Sequence, residues 1–287
     1  MGKIFGVVIL FDPQEDVNRN ISSYLPFVDK LLVIDNSEPS AKIDLGEIED
    51  KDKVVLIAEG INKGIAIRLN EAAAYALSEG ASWLLTMDQD SFFDESNLML
   101  YQEYFQQYEH KNNVAMFGVE FERRPSGQNN NETVETYDII TSGSLVNLDI
   151  YRDLGGFDEA LFIDEVDVEY CIRADLSGYK TLKFKSIYLH HSLGAVLQYR
   201  SLKSLKKTSR VLHAPLRIYY MVRNHFYVNK KYKSKLSGPF LKQRRNDIAN
   251  RIKNNFLYGN NKIKLIKYLT LALLHYKTGK MGKLKNY

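Results

Sequence analysis

Apolar runs of strand length, alternating with helix-patterned stretches and closing on acids, constrain this chain more than any other feature. Lys3–Phe11 is apolar and rich in β-branched residues until Asp12-Pro13 breaks it, and Leu31-Leu32-Val33-Ile34 ends at Asp35-Asn36-Ser37. Val54–Ala58 is a third run, and Ser82–Met87 passes without a turn residue into Asp88-Gln89-Asp90. Helical spacing fills the intervals at Glu15–Tyr24 and at the alanine-rich Ile65–Leu77, the latter opened by Asn62-Lys63-Gly64. Strands that are apolar throughout are buried on both faces, and no tight hairpin signal separates them. The pattern therefore predicts an α/β fold, a mainly parallel sheet flanked by helices. Ligands of such sheets bind beyond the carboxyl ends of the strands, and Asp12, Asp35 and Asp88 all fall there.

The Asp88-Gln89-Asp90 triplet carries the clearest chemistry. Positions i and i+2 of a strand share a face, so both carboxylates point into the space past the sheet edge. Oxygen ligands of this kind suit a hard divalent cation, Mg or Mn, that keeps open positions for phosphate oxygens; a polar loop after a core strand is the alternative use. Further on, Ser96–Tyr108 reads as a helix, Val114–Phe121 as a strand and Glu122–Thr136 as a polar, asparagine-rich loop. Ser142-Gly143 lies within Ile139–Leu148, where the glycine permits close backbone approach. Leu154–Glu159 is a turn and Asp164–Leu176 a helix. Tyr179–Leu189 supplies strand pieces ending at His190-His191, two side chains that face opposite ways, so only one can turn inward. From Leu197 onward helical spacing dominates.

A net charge of +4 over 287 residues conceals a strong asymmetry. Arg200–Tyr287 holds 23 Lys/Arg against one acid, Asp247, which leaves 16 bases and 34 acids in the 199 residues before it. One part is near −18 and the other near +22. The division predicts a catalytic domain over 1–196 and a basic helical region over 197–287, the latter suited to a polyanionic partner. Cys171, the only cysteine, excludes an internal disulfide and a cysteine-based zinc site and fits a reducing compartment. The first apolar stretch is short for a signal sequence and lacks a small-residue cleavage site, and no run reaches the ~18 apolar residues of a spanning helix. Together these predict a cytoplasmic protein. A nicotinamide dehydrogenase fits poorly, because the first strand exit has no Gly-x-Gly-x-x-Gly.

In order, the pieces resemble the family 2 glycosyltransferases, inverting enzymes of GT-A fold that use nucleotide-sugars, and within them the bacterial rhamnosyltransferase-like branch. The matching segments are Val33–Ser37, Asn62–Ala66 with Asn70, Asp88-Gln89-Asp90, Ser142-Gly143 and Gly155-Gly156-Phe157-Asp158-Glu159. Phe162–Glu169 with Arg173, His191-Ser192-Leu193-Gly194 and Arg217-x-Tyr219-Tyr220-x-x-Arg223-Asn224 complete the set. The resemblance implies a donor site containing Asp12, Ser142 and Gly143. In it Asp35 accepts the pyrimidine N3–H, Asn62 and Gly64 line the nucleoside, and Asp88 meets the ribose or the metal's water shell. Asp90 and His191 are implied metal ligands, with His190 as the alternative imidazole, and Arg217 and Arg223 are implied phosphate ligands. Capping of the following turn by Asp35 is equally compatible with the sequence, and Arg68 departs from the small residue usual at its position.

In a second acidic group, Asp164, Asp167 and Glu169, the resemblance implies the general base that an inverting transfer needs; acids favoured at a helix N-terminus by its dipole are the other use. Alignment through Arg173 makes Asp167 that base and Asp164 its rival; on a helix these two share a face while Glu169 is rotated away. The implied reaction moves a sugar, L-rhamnose from dTDP-rhamnose or else a hexose from a UDP-sugar, onto a cell-surface polysaccharide or lipid-linked glycan. The basic segment Lys262–Leu274 mixes lysine with leucine and isoleucine at helical spacing and is too short to span. It suits the anionic inner face of the cell membrane, to which the protein would attach peripherally; packing on the acidic domain or a homodimer interface are its other uses. Nucleic-acid binding by the tail is a reading from another class, and it leaves the ordered acids without a role.

Overall fold

The computed structural model describes residues 2–13, 16–46, 48–121, 131–191, 196–200 and 207–285. Glu15, Ser192-Leu193-Gly194 and 122–130 of the expected polar loop lie outside the described residues. The chain divides into two units, Met1–Glu159 with Val166–Ser192, and Ala160–Glu165 with Leu193–Tyr287. Where the sequence predicts one unbroken domain to residue 196, the short segment Ala160–Glu165 groups with the C-terminal helices instead.

The first unit starts with β1 (Lys3–Leu10), α1 (Val17–Tyr24), β2 (Lys30–Asp35), β3 (Val54–Ala58), α2 (Ile65–Ser78) and β4 (Ala81–Asp88). A two-residue β5 (Ser91–Phe92), α3 (Glu95–Gln107), β6 (Val114–Glu120), β7 (Thr133–Glu135) and β8 (Ser144–Asn147) follow. The unit closes with α4 (Leu148–Leu154), α5 (Val166–Leu176), β9 (Lys180–Tyr188) and a short β10 (His190–His191). The sheet order is β3-β2-β1-β4-β8-β6-β9-β7. The first four strands are mutually parallel, as the apolar runs predict. β8 runs antiparallel to both β4 and β6, whereas β9 returns parallel to β6. β7, inside the stretch expected to be loop, pairs antiparallel with β9.

Beneath the sheet an aromatic cluster centres on Phe117, fully buried on β6. Its ring lies 5.6 Å from Phe105, 5.1 Å from Tyr108, 5.4 Å from Phe184 and 5.8 Å from Trp83. Because Trp83 is on β4, this cluster backs the strand whose exit carries Asp88.

The second unit contains β11 (Val196–Arg200) and β12 (Lys207–Val211), paired antiparallel, then α6 (Pro215–Tyr232), α7 (Gly238–Tyr258) and α8 (Lys262–Thr278). The hairpin corrects the expectation of helical spacing from Leu197 onward. Ile218, Tyr219 and Val222 of α6 share a core with Leu265, Tyr268 and Ala272 of α8. Among the described residues no helix is long and apolar enough to cross a membrane.

Phe117→Ala removes the ring on which four aromatic neighbours converge and is expected to destabilise the protein by about 3–5 kcal/mol. Urea unfolding followed by tryptophan fluorescence reads this directly, since Trp83 is the sole tryptophan and touches the site of change.

Candidate active site

The site grows from the register of β1 with β4. Ile9 pairs with Asp88, and Leu10 pairs with Asp35 on the other side, so three strand exits lie side by side. Gln89 then ties the first exit to the third. Its Oε1 accepts the Phe11 N–H at 2.7 Å and its Nε2 donates to the Phe11 carbonyl at 3.1 Å. Asn20 of α1 donates to the Gln89 carbonyl at 2.8 Å, fixing the loop from below. Asp12, in a left-handed conformation with φ 44, has its N–H bound to Ser37 Oγ at 2.9 Å. These bonds hold the acid-bearing loops against one another.

Asp88, Asp90 and His191 converge: one ligand atom from each lies within 4.8 Å of the others, a set that could hold a metal ion. Pairing of β10 with β5 sets His191 opposite Ser91, whose Oγ lies 2.8 Å from Nδ1, and Asp90 is 3.3 Å from the same nitrogen. His190 faces the other way, 2.7 Å from Asp94 and stacked on Phe92. The choice left open between the two histidines thus falls to His191. Two carboxylates and one imidazole fit a divalent cation, and the imidazole suits Mn better than the all-oxygen cages that Mg prefers. Ser142 Oγ accepts the Asp88 N–H at 3.1 Å. Gly143, at φ 74, donates to the Thr86 carbonyl at 2.8 Å in a space where a Cβ would meet Val119 at 2.9 Å and Leu189 at 3.0 Å. These two residues brace β4 and its acid.

Asp35 is fully buried, and its two oxygens accept the N–H groups of Ser37 at 2.9 Å and Ala41 at 2.8 Å. Of the two uses open to it, turn capping is the one in place. Asn36 was not singled out by sequence reasoning, yet it organises the Asn62–Gly64 stretch. Its Oδ1 accepts from the Lys63 N–H at 2.8 Å and from Arg68 Nε at 3.2 Å, and its amide donates to Asn62 at 3.0 Å. Asn62 in turn accepts the N–H of Gly64, the residue at φ 86 that starts α2. Arg68, fully buried, pairs with Glu59 and Glu71 at 2.7 Å each and donates to the Ile61 carbonyl at 2.8 Å. Its departure from a small residue therefore has a local purpose, to anchor the segment that leads into α2.

In the first unit, Asn70 and Arg173 hold the Gly155–Glu159 turn. Asn70 accepts from Tyr151 at 2.7 Å and from the Phe157 N–H at 2.9 Å, and donates to Glu159 at 2.9 Å. Arg173 pairs with fully buried Glu169 at 2.7 Å and donates to the Gly156 carbonyl at 2.7 Å. Glu169 is thus committed to structure. Asp167 is partly exposed in the first turn of α5, one oxygen accepting the Val168 N–H at 2.8 Å.

Asp164 is not helical. It and Glu165 are consecutive left-handed residues at φ 65 and 70, and α5 begins after them at Val166, so the expected shared helix face of Asp164 and Asp167 does not form. Within the second unit, Asn224 caps this strained turn, donating to the carbonyls of Ile163 at 2.8 Å and Asp164 at 3.1 Å. Arg217 meets Asp164 at 3.2 Å, but burial outweighs it and pushes the carboxyl above the usual range. Glu165 goes the other way. Burial opposes its charge, yet His225 and Arg244, the latter at 2.7 Å, hold its pKa below the ordinary glutamate value. Arg223, expected to bind phosphate, is enclosed at 1% exposure, bound to Asn224, Tyr219 and the Gly282 carbonyl. Enclosure there makes it a core residue of the second unit.

A parallel four-strand run with acids at its exits, a convergent carboxylate–carboxylate–imidazole set and an antiparallel β8 beside β4 define a GT-A type nucleotide-sugar transferase fold. Residues 15–155 match the model of glycosyl transferase family 2, and the chain is a glycosyltransferase with a family 2 domain. It is 28% identical over 249 residues to the dTDP-rhamnosyl transferase RfbF of Shigella flexneri, covering 79% of this chain and 80% of that one. Among solved structures, S. aureus TarS 1–349 in complex with UDP-GlcNAc superposes with a TM-score of 0.59 at 15% identity, over 96% of this chain and 81% of that one. The chain spans 49% of the longer TarS structure. GalNAc-T7 with UDP, GalNAc and Mn2+ superposes at 0.55 and 13% identity, over 87% of this chain and 55% of that one. These two likenesses concern the fold.

Arg244→Leu removes the guanidinium 2.7 Å from buried Glu165 and leaves its carboxylate against His225, at a cost of up to about 3–5 kcal/mol at pH 7. The folded-state pKa of Glu165 is depressed, so the pair stabilises above the unfolded glutamate value of 4.5 and loses that contribution as pH falls through the folded value. Chemical unfolding of both proteins from pH 7 to pH 3 is expected to show the gap between them narrowing toward the acid end.

Proposed function

We propose that the chain is a metal-dependent, inverting glycosyltransferase that moves L-rhamnose from dTDP-rhamnose onto a cell-surface polysaccharide or lipid-linked glycan. Similarity to the dTDP-rhamnosyl transferase RfbF over most of both chains carries the donor reading. Convergence of Asp88, Asp90 and His191 supports the metal. A lipid-linked acceptor would put the work at the inner face of the cell membrane.

In this reading Asp88, Asp90 and His191 hold Mn or Mg, which when bound neutralises charge on the nucleoside-diphosphate leaving group. Asn62 and Gly64 line the nucleoside, and Asp12, Ser142 and Gly143 shape the donor pocket around it. Asp35 acts on the base through the turn it caps. Asp167 takes the proton of the acceptor hydroxyl as that oxygen bonds to the anomeric carbon from the face opposite the departing diphosphate. Asp164, directed by Arg217, serves acceptor placement, and Arg217, half exposed, offers a cation to an acceptor phosphate. A UDP-hexose donor would use the same groups.

Calorimetric titration with dTDP-rhamnose, UDP-glucose, UDP-galactose and GDP-mannose in the presence of manganese tests the donor. dTDP-rhamnose is expected to bind at least ~10-fold tighter than the others; preference for a UDP-sugar moves the chain to the hexosyl reading. Asp90→Asn is expected to abolish manganese binding followed by electron paramagnetic resonance, while the fold melts as in the wild type.

A positioned base is worth about 10²–10⁴ in rate. Asp167→Asn is therefore expected to lose that factor with donor affinity unchanged, and Asp164→Asn to lose less. A dead Asp164→Asn beside an active Asp167→Asn reverses the assignment.

A further inference from the structure

α8 is apolar on two opposite faces. Its inner face, Leu265, Tyr268, Ala272 and His275, is buried in the helical core of the second unit, where His275 also meets the Tyr219 hydroxyl at 2.8 Å. At about 100° per residue, the direction opposite to that face is occupied by Ile263, Ile266, Leu273 and Leu274, with Thr270 between them and Lys277 at the last turn. The four apolar side chains are 85%, 52%, 41% and 53% exposed. At the end of α7, just before this stripe, Phe256 and Leu257 add 43% and 40% exposed side chains. A surface helix normally turns charged residues outward, so an outward stripe of isoleucine and leucine needs a partner to cover it.

What flanks the stripe identifies that partner. Lys262, Lys264, Lys267 and Lys277 are all exposed on α8, and Gly238–Tyr287 carries twelve Lys/Arg against the single acid Asp247. A second copy of this chain would press two such basic rims together around the apolar contact, which like-charge repulsion opposes. An anionic bilayer matches both features, because acyl chains receive the isoleucines and leucines while lipid headgroups receive the lysines. We propose that the outer face of α8, with the last turn of α7, is a membrane-docking surface that seats in the headgroup region of an anionic bilayer. This deepens the proposed function, resting on it only for the lipid-linked acceptor. The geometry of the helix stands without it.

Co-sedimentation with phosphatidylglycerol vesicles and with phosphatidylcholine vesicles, free of donor and acceptor, tests the surface independently of which sugar is moved. The full chain is expected to bind the anionic vesicles and to release as salt rises. Each lysine near the surface is worth about a factor of five in partition, so Lys262→Glu/Lys264→Glu/Lys267→Glu should weaken binding by at least ~100-fold. Ile263→Ser/Ile266→Ser/Leu274→Ser, which keeps every charge, should weaken it at least ~10-fold, and unchanged melting and manganese binding would show both variants folded. Indifference of the wild type to anionic vesicles overturns the proposal, as does full vesicle binding by the serine variant. Light scattering supplies the remaining outcome: a wild-type dimer that the serine variant dissociates would assign the stripe to a second copy.

Discussion

The hydrogen-bonded pairing of β1 with β4 is the interaction on which the rest of the candidate site depends. A parallel pair places its carboxyl ends at one edge, so the exits carrying Asp12 and Asp88 become neighbours as soon as Ile9 finds Asp88 in register. A slip of one residue would turn every side chain of β4 to the opposite face and carry Asp88 away from Asp90's partner His191. The register is protected from beneath by the aromatic packing of Trp83 against Phe105 and Phe117. It is protected from above by Gln89, whose two bonds to Phe11 are possible only when the strands end level. An antiparallel β8 then delivers Ser142 to the Asp88 N–H.

Around that edge the polar groups sort by what satisfies them. Buried polar atoms are tolerated only with partners, and Asp35, Asn36, Arg68, Glu169 and Arg173 are each tied to backbone or to an opposite charge. Their contribution is rigidity of the loops they belong to. Asp88, Asp90 and His191 differ in kind: one ligand atom of each lies within 4.8 Å of the others, a set that could hold a metal ion.

The second unit follows another logic. Its acid–base pairs, Glu165 with Arg244 and Asp164 with Arg217, accompany two consecutive residues in left-handed backbone, a conformation that costs on the order of 1 kcal/mol or more per residue outside glycine. Asn224 clamps two carbonyls of the same turn. The strained turn ends immediately before α5, whose first turn carries Asp167.

Much of this was legible in one dimension. Continuous apolar runs dictate a covered, mainly parallel sheet, since only burial on both faces makes such strands stable, and their exits mark where a ligand binds. Asp88, Asp90 and the histidine pair were visible as metal-ligand chemistry, and the charge asymmetry of the last 88 residues needs no fold to be read. What tertiary structure decided are matters of direction and enclosure. It turned His191 inward and His190 away, closed Asp35 into its own turn, withdrew Arg223 into a core and took Asp164 out of the helix. It also left one apolar face of α8 outward while its other face was buried. Sequence carries residue type and spacing along one chain, whereas a side chain's access to solvent or ligand depends on which distant segments arrive beside it.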